Sequence, residues 1–144
     1  MAYTHNSIVI ARPMDSVFEM SNQLEEWPNI FNEYVGVKIL SREGNRIVFQ
    51  MTNKEKESWR SHRLIDRAHW LVTATREEPM YPFKYMHLRW TYRPVPEGTE
   101  MTWEQFFEMD PACNVSDEIA MQRVIKHSQT NMENFKRWIE RERS

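Results

Sequence analysis

The chain has 144 residues, which suits one domain (1–144) with a core of its own, and its 19 basic and 21 acidic residues leave a formal net charge of −2. That balance offers no general attraction to nucleic acid or to an anionic membrane surface. The single cysteine, Cys113, excludes an intramolecular disulfide and a thiolate metal cluster and suits a reducing, cytoplasmic setting.

In chain order, β-branched Ile8, Val9 and Ile10 mark a strand from Thr4 to Ala11. Pro13 opens a short helix that carries Val17 and Phe18 and runs to about Gln23. A second short helix is expected from Leu24 to Asn32, with a break or kink at Pro28. Trp27, Phe31 and Tyr34 then form an aromatic ladder where helix gives way to strand.

The pattern from Tyr34 onward is β. One strand runs from Tyr34 to Arg42, a hairpin turn follows at Glu43-Gly44-Asn45, and its partner spans Arg46 to Asn53. After the polar turn Asn53 to Lys56 comes Glu57 to Asp66. Alternation puts Trp59, Ser61, Arg63 and Ile65 on one face of that strand and Arg60, His62 and Leu64 on the other. An arginine between a tryptophan and an isoleucine suits the wall of a greasy pocket that holds oxygen atoms. It equally suits a half-exposed strand whose Arg covers apolar surface.

Trp70 to Arg76 is the next strand, with Trp70, Val72, Ala74 and Arg76 on one face. Beyond a loop containing Pro79 and Pro82, a long strand from Phe83 to Val95 carries Met86, Leu88, Trp90 and Tyr92 on one side. Thr99 to Met109 follows, with Met101, Trp103, Gln105 and Phe107 on its apolar face. Past the loop Ala112-Cys113-Asn114, Ser116 caps one long helix whose buried stripe is Val124, Ile125, Ser128, Met132, Phe135 and Ile139.

One strand, two short helices, six hairpin-joined strands and a long helix give an α+β class. A twisted antiparallel sheet of about seven strands curls around the C-terminal helix. The helix's narrow stripe cannot fill the concavity, so a cavity is expected between them. The composition agrees. Six Trp, five Tyr, seven Phe and ten Met coexist with a hydrophilic mean hydropathy of −0.75, so apolar content is spent on side chains that line pockets. No apolar run approaches the roughly 20 residues of a membrane span. Met1 to Asn6 lacks the basic-then-apolar pattern of a signal peptide.

His5, His62, His69, His87 and His127 form no ligand spacing, so no metal site is expected. Ser61 and His62 point to opposite faces, no G-x-S-x-G is present, and three glycines cannot build a phosphate loop. The expected cavity retains Arg63, Ser61, Gln105, Tyr34, Tyr92 and Arg76 among aromatics. That set can hold oxygens and stabilise enolates, but it lacks a strong nucleophile.

Several motifs carry a resemblance. Ile8-Val9-Ile10, Pro13, Val17-Phe18, Trp27-Pro28 and Phe31-Asn32-Glu33-Tyr34 resemble the START-like, Bet v 1-type helix-grip superfamily. Within it, Trp59-Arg60-Ser61-His62-Arg63, Trp90-Thr91-Tyr92, Gly98-Thr99-Glu100-Met101 and Trp103 with Gln105 are similar to bacterial type II polyketide aromatase/cyclases of the tetracenomycin type.

The resemblance implies a helix-grip fold and a linear poly-β-ketone carried on an acyl carrier protein within a ketosynthase complex. It implies regiospecific aldol cyclisation with dehydration to an aromatic, and no cofactor. It places catalytic roles on Arg63 and Tyr34 and substrate contacts on Trp27, Phe31, Trp59, Ser61, Met86, Trp90, Gln105 and Arg76. The segment Asn53 to Glu57 is shorter than the family's, and the loop after Arg76 differs in length. Two other readings stay open: a non-catalytic carrier of a hydrophobic ligand such as a quinone or lipid, and an assembly factor acting through its surface.

Overall fold

A computed structural model describes residues 1–31 and 33–141. Among them the order is β1 (Ala2–Ile10), α1 (Met14–Ser21), a 3-10 turn (Leu24–Glu26), α2 (Trp27–Ile30), β2 (Tyr34–Glu43), β3 (Arg46–Asn53) and β4 (Ser58–Asp66). Then come β5 (Leu71–Arg76), β6 (Phe83–Val95), β7 (Gly98–Met109) and α3 (Asp117–Arg141), with further 3-10 turns at Arg67–His69 and Pro111–Cys113.

The strands form one antiparallel sheet in the order β1-β7-β6-β5-β4-β3-β2. Strands β2 to β7 pair with their chain neighbours, whereas β1 lies against β7 at the far edge. The crossing from β1 to β2 is made by α1, which packs against β6, β7 and α3, and α2, which packs against β2 and α3. This is the helix-grip arrangement that the sequence implies. The concave face carries the inward side of each strand's alternation. On β7 this side is Met101, Trp103 and Phe107, and on β6 it is Trp90 and Tyr92, all buried. The opposite side is tied by cross-strand ion pairs such as Arg89–Glu104 at 2.7 Å.

Helix α3 lies across the concave face and buries Met132, Phe135 and Ile139 completely. Each such side chain removed from water contributes about 1.5–3 kcal/mol. Ser116 Oγ accepts from the Ile119 N–H at 3.2 Å, which caps the helix start. The helix is also fastened to β1, where Asn6 Nδ2 donates to Ile125 O at 3.1 Å and to Gln129 Oε1 at 3.2 Å.

Several elements differ from expectation. The segment from Leu24 is not one kinked helix. A 3-10 turn ends at Glu26 and α2 begins afresh at Trp27, so Pro28 sits in the first turn, where its missing N–H costs nothing. Asn32, the expected end of that helix, lies outside the described residues. Helix α1 ends at Ser21 rather than near Gln23. Trp70 does not belong to β5. It takes a left-handed conformation (φ 51°) and meets Phe18 edge-on at 5.4 Å. Ile125 is 43% exposed and stands off the buried stripe of α3, which Ala120 continues toward the helix start.

Candidate active site

Alternation along β4 turns Trp59, Ser61, Arg63 and Ile65 inward, and β3, β5, β6 and β7 add their own inward residues. The space that remains beneath α3 is a cavity of about 200 Å³. Ten of the eleven side chains singled out from the sequence line it: Trp27, Phe31, Tyr34, Trp59, Ser61, Arg63, Arg76, Met86, Trp90 and Gln105; Tyr92, also expected there, instead points its hydroxyl at Ser21 and Asn22 behind the wall. Phe49, Met51, Phe83, Leu88 and Trp103 complete its apolar wall, and Thr75, His127, Ser128 and Asn131 add polar atoms.

Arg63 is 1% exposed, the largest fully buried side chain among the described residues. Its guanidinium sits 4.1 Å from the ring centre of Trp90 and 5.0 Å from that of Trp27. Cation–π attraction to two desolvated rings offsets part of the cost of burying the charge. Nε and Nη2 both donate to Asn22 Oδ1, at 3.0 and 2.9 Å. Among the described residues no carboxylate pairs with Arg63. Burial pushes its pKa down to about 10, so it remains charged at neutral pH. The chain continues behind it. Asn22 Nδ2 donates to Phe18 O at 2.8 Å and to the Tyr92 hydroxyl at 3.4 Å, and that hydroxyl meets Ser21 Oγ at 2.8 Å. Tyr92 therefore supports the floor through Asn22.

The cavity wall is built from interlocking rings. Trp90 and Trp103 stack at 4.3 Å with a 7° interplanar angle, and Phe135 packs edge-on against both and against Phe31. Gln105 Oε1 accepts from the Thr4 and Ser128 hydroxyls, at 3.1 and 3.0 Å, which fixes its amide against the cavity.

A second polar group lies where α3 meets the connection between α2 and β2. Glu33 accepts from His127 Nε2 and, at 2.9 Å, from Asn131 Nδ2. Burial works against the Glu33 charge, but the hydrogen bonds from His127 and Asn131 outweigh it and hold the carboxyl below its ordinary value. The same contact raises His127. Tyr34, next in sequence, packs edge-on against Phe31 and Trp59. Burial, reinforced by the Glu33 carboxylate, pushes the Tyr34 phenol up, so it keeps its proton. Arg76 stands at the mouth, its guanidinium 4.7 Å from the Trp59 ring centre. Nε donates to Pro79 O and Nη2 to Tyr81 O, at 2.9 and 3.0 Å.

Sequence reasoning missed Asn22 and the Glu33–His127–Asn131 group. Asn22 follows the last turn of a short helix, and no periodicity marks it. His127 was judged only by metal spacing, although its place one residue before the buried Ser128 puts it at the stripe's edge. Among the described residues no group of three His, Cys, Asp or Glu is placed to hold a metal ion, and no helix is long and apolar enough to cross a membrane.

The site can bind an oxygen anion at Arg63, offer a phenolic proton at Tyr34 and press a planar molecule between aromatic walls. Known proteins resemble this chain in sequence or in fold. The family model described as polyketide cyclase/dehydrase and lipid transport matches residues 10–136. A protein of Streptomyces cyaneus assigned as a polyketide cyclase is 43% identical over 120 residues, which span 80% of this chain and 78% of that one. Another from Streptomyces halstedii is 43% identical over 106 residues, spanning 70% and 96%. The crystal structure of the Zhui aromatase/cyclase from Streptomyces sp. R1128 superposes with a TM-score of 0.79 at 16% identity, over 96% of this chain and 93% of that one.

Proposed function

This chain belongs to the polyketide cyclase/dehydrase and lipid transport family, and we propose that within it the protein is an aromatase/cyclase. Its substrate is a linear poly-β-ketone held as a thioester on an acyl carrier protein, delivered by a ketosynthase complex. The reaction is a regiospecific aldol closure followed by loss of water.

One observation carries this reading. Arg63 is a fully buried cation whose hydrogen-bond partner among the described residues is the neutral amide of Asn22. A buried charge without a counter-ion attracts an anion that forms beside it. A poly-β-ketone supplies one readily, because methylenes between two carbonyls are acidic. Enolisation is therefore easy and control is hard. The protein contributes by holding one enolate carbon against one carbonyl.

In the proposed sequence, water takes the methylene proton and Arg63 stabilises the enolate oxygen. The enolate carbon attacks the carbonyl carbon, a C–C bond forms, and the carbonyl electron pair moves to oxygen as an alkoxide. Tyr34 gives that alkoxide its proton and takes one back from the hydronium formed when water accepted the methylene proton. Its raised pKa is compatible with this step, since an alkoxide is a stronger base than a phenolate. Loss of the hydroxyl with a neighbouring proton then forms the ring double bond. The flat faces of Trp27 and Trp90 favour the planar product. Trp59, Ser61, Met86, Gln105 and Arg76 orient the chain.

The test is a minimal polyketide synthase reconstituted with this protein. Wild type shifts a spontaneous product mixture to one ring pattern, and Arg63→Ala, folded by circular dichroism, loses the shift. An unchanged product profile with wild type sinks the cyclase reading and leaves the hydrophobic-ligand carrier. A folded, active Arg63→Ala removes the arginine's role alone.

A further inference from the structure

The cavity beneath α3 is small for the substrate just proposed. Its 200 Å³ or so lies below the roughly 300 Å³ at which pockets for drug-sized ligands begin. An apolar cavity of roughly 150 Å³ accepts one benzene ring. The chamber therefore has room for one six-membered ring with a few oxygen substituents, and a longer poly-β-ketone must leave most of its length outside.

A place for that remainder lies next to it. A groove of about 580 Å³ runs between the turn after β3 and the Pro79–Pro82 loop, lined by Asn53, Glu57, Ser58 and Tyr81. Its wall and the chamber's wall share two side chains, Trp59 and Arg76. Arg76 rises from the end of β5, spans the boundary over the Trp59 and Phe83 rings, and ends on the carbonyls of Pro79 and Tyr81. Both acceptors are neutral and belong to the rim, and among the described residues Arg76 makes no ion pair. Water can replace such bonds at little net cost, so the side chain is held in place but not locked. Tyr81 beyond it is 55% exposed.

We infer that Arg76 partitions the binding site into an inner chamber that takes one ring of the reacting segment and an outer groove that holds the rest of the same chain. The inference rests on the poly-β-ketone reading for the occupant's identity. The size limit itself follows from the walls. With the partition closed, a single ring is closed inside and fused rings do not fit. With Arg76 swung toward solvent, the two spaces join and the chain passes between Trp59 and Phe83.

Calorimetric titration with two rigid phenols tests this without any turnover. Resorcinol is the one-ring probe, and a dihydroxyanthraquinone is the three-ring probe. Wild type binds the one-ring probe more tightly, although added apolar area alone favours the larger one. Arg76→Ala raises the ratio of three-ring to one-ring affinity by about tenfold or more. Circular dichroism reports that the variant is folded. Should Arg76→Ala fail to fold, Arg76→Met keeps the packing on Trp59, loses both carbonyl bonds and moves the affinity ratio in the same direction. Equal or tighter three-ring binding by wild type overturns the partition. So does an affinity ratio unchanged in the folded variant. A wild-type protein that passes this test yet directs no cyclisation would discard the proposed function and keep the two-compartment site.

Discussion

Arg63 Nε and Nη2, neighbours on one edge of the guanidinium, converge on one oxygen, Asn22 Oδ1, in a buried cluster that joins β4 to the end of α1. The amide fixes the guanidinium's orientation and leaves its charge uncompensated. A carboxylate at that position would fix it equally well and neutralise it. Asn22→Asp gains a charge-assisted pair with Arg63 but loses the Nδ2 donation to Phe18 O and sets a carboxylate oxygen against that carbonyl, so it is expected to unfold at a urea concentration no higher than wild type and to lose control of ring closure. Asn22→Ala strands buried donors and costs about 1–3 kcal/mol in the same denaturation series. Full ring control in Asn22→Asp would show that the free charge on Arg63 is unimportant.

Tyr34 packs between Phe31 and Trp59, so Tyr34→Phe preserves the wall and removes only the hydroxyl. The expected outcome is a thermal midpoint close to wild type with a fall of about 10²-fold in the rate of aromatic product formation, in line with the loss of one general acid. Single-turnover assays with carrier-bound substrate read this directly. A rate within experimental error of wild type would transfer the proton donor's role to solvent.

The His127–Glu33 contact gives stability a pH dependence. His127 is raised above its ordinary 6.5, so its contribution is complete below that value and is lost as pH climbs through the higher folded value. Glu33 is lowered below its ordinary 4.5, so its contribution is complete above that value and is lost as pH falls through the lower folded one. Both are present together between about 4.5 and 6.5. His127→Gln is expected to lower the thermal midpoint by about 1–4 °C within that window and by less above it, the size of an effect for a partly exposed pair. A midpoint difference that grows toward alkaline pH contradicts the sign.

Gly98 closes the β6–β7 hairpin with φ +143°, and a Cβ there would lie 2.2 Å from Ile10 O and 2.9 Å from the Arg12 nitrogen. Both are backbone atoms and cannot turn aside. Gly98→Ala is expected to destabilise by about 2–4 kcal/mol in urea denaturation, as forced strain at a special backbone position does. The site lies at the end of the sheet away from Arg76 and the rim. A folded Gly98→Ala protein at low temperature should therefore bind a one-ring phenol as wild type does.

Much of this architecture was legible because alternation holds along β4, along β7 and along β6 beyond the irregularity at Phe83/Tyr85. Once β4 was read with period two, Arg63 had to share a face with Trp59 and Ser61, and β6 and β7 delivered Trp90 and Gln105 in the same way. The second short helix was misjudged, because Pro28 breaks a helix interior but starts a helix equally well, and local sequence does not choose between the two. Trp70 was placed on the β5 face by its spacing, yet the 3-10 turn before it rotates it into a contact with Phe18.

By itself, then, the sequence determined the order of elements, the side of each strand that turns inward and the family to which the chain belongs, since periodicity and motif are local along the chain. Tertiary structure alone decided that Asn22 is the partner of Arg63, that Glu33 joins His127 and Asn131 where α3 meets the connection into β2, and that Arg76 lies over Trp59. These contacts link residues far apart in sequence. They depend on how tightly the sheet curls and where α3 rests, which many side chains set together and no single motif records.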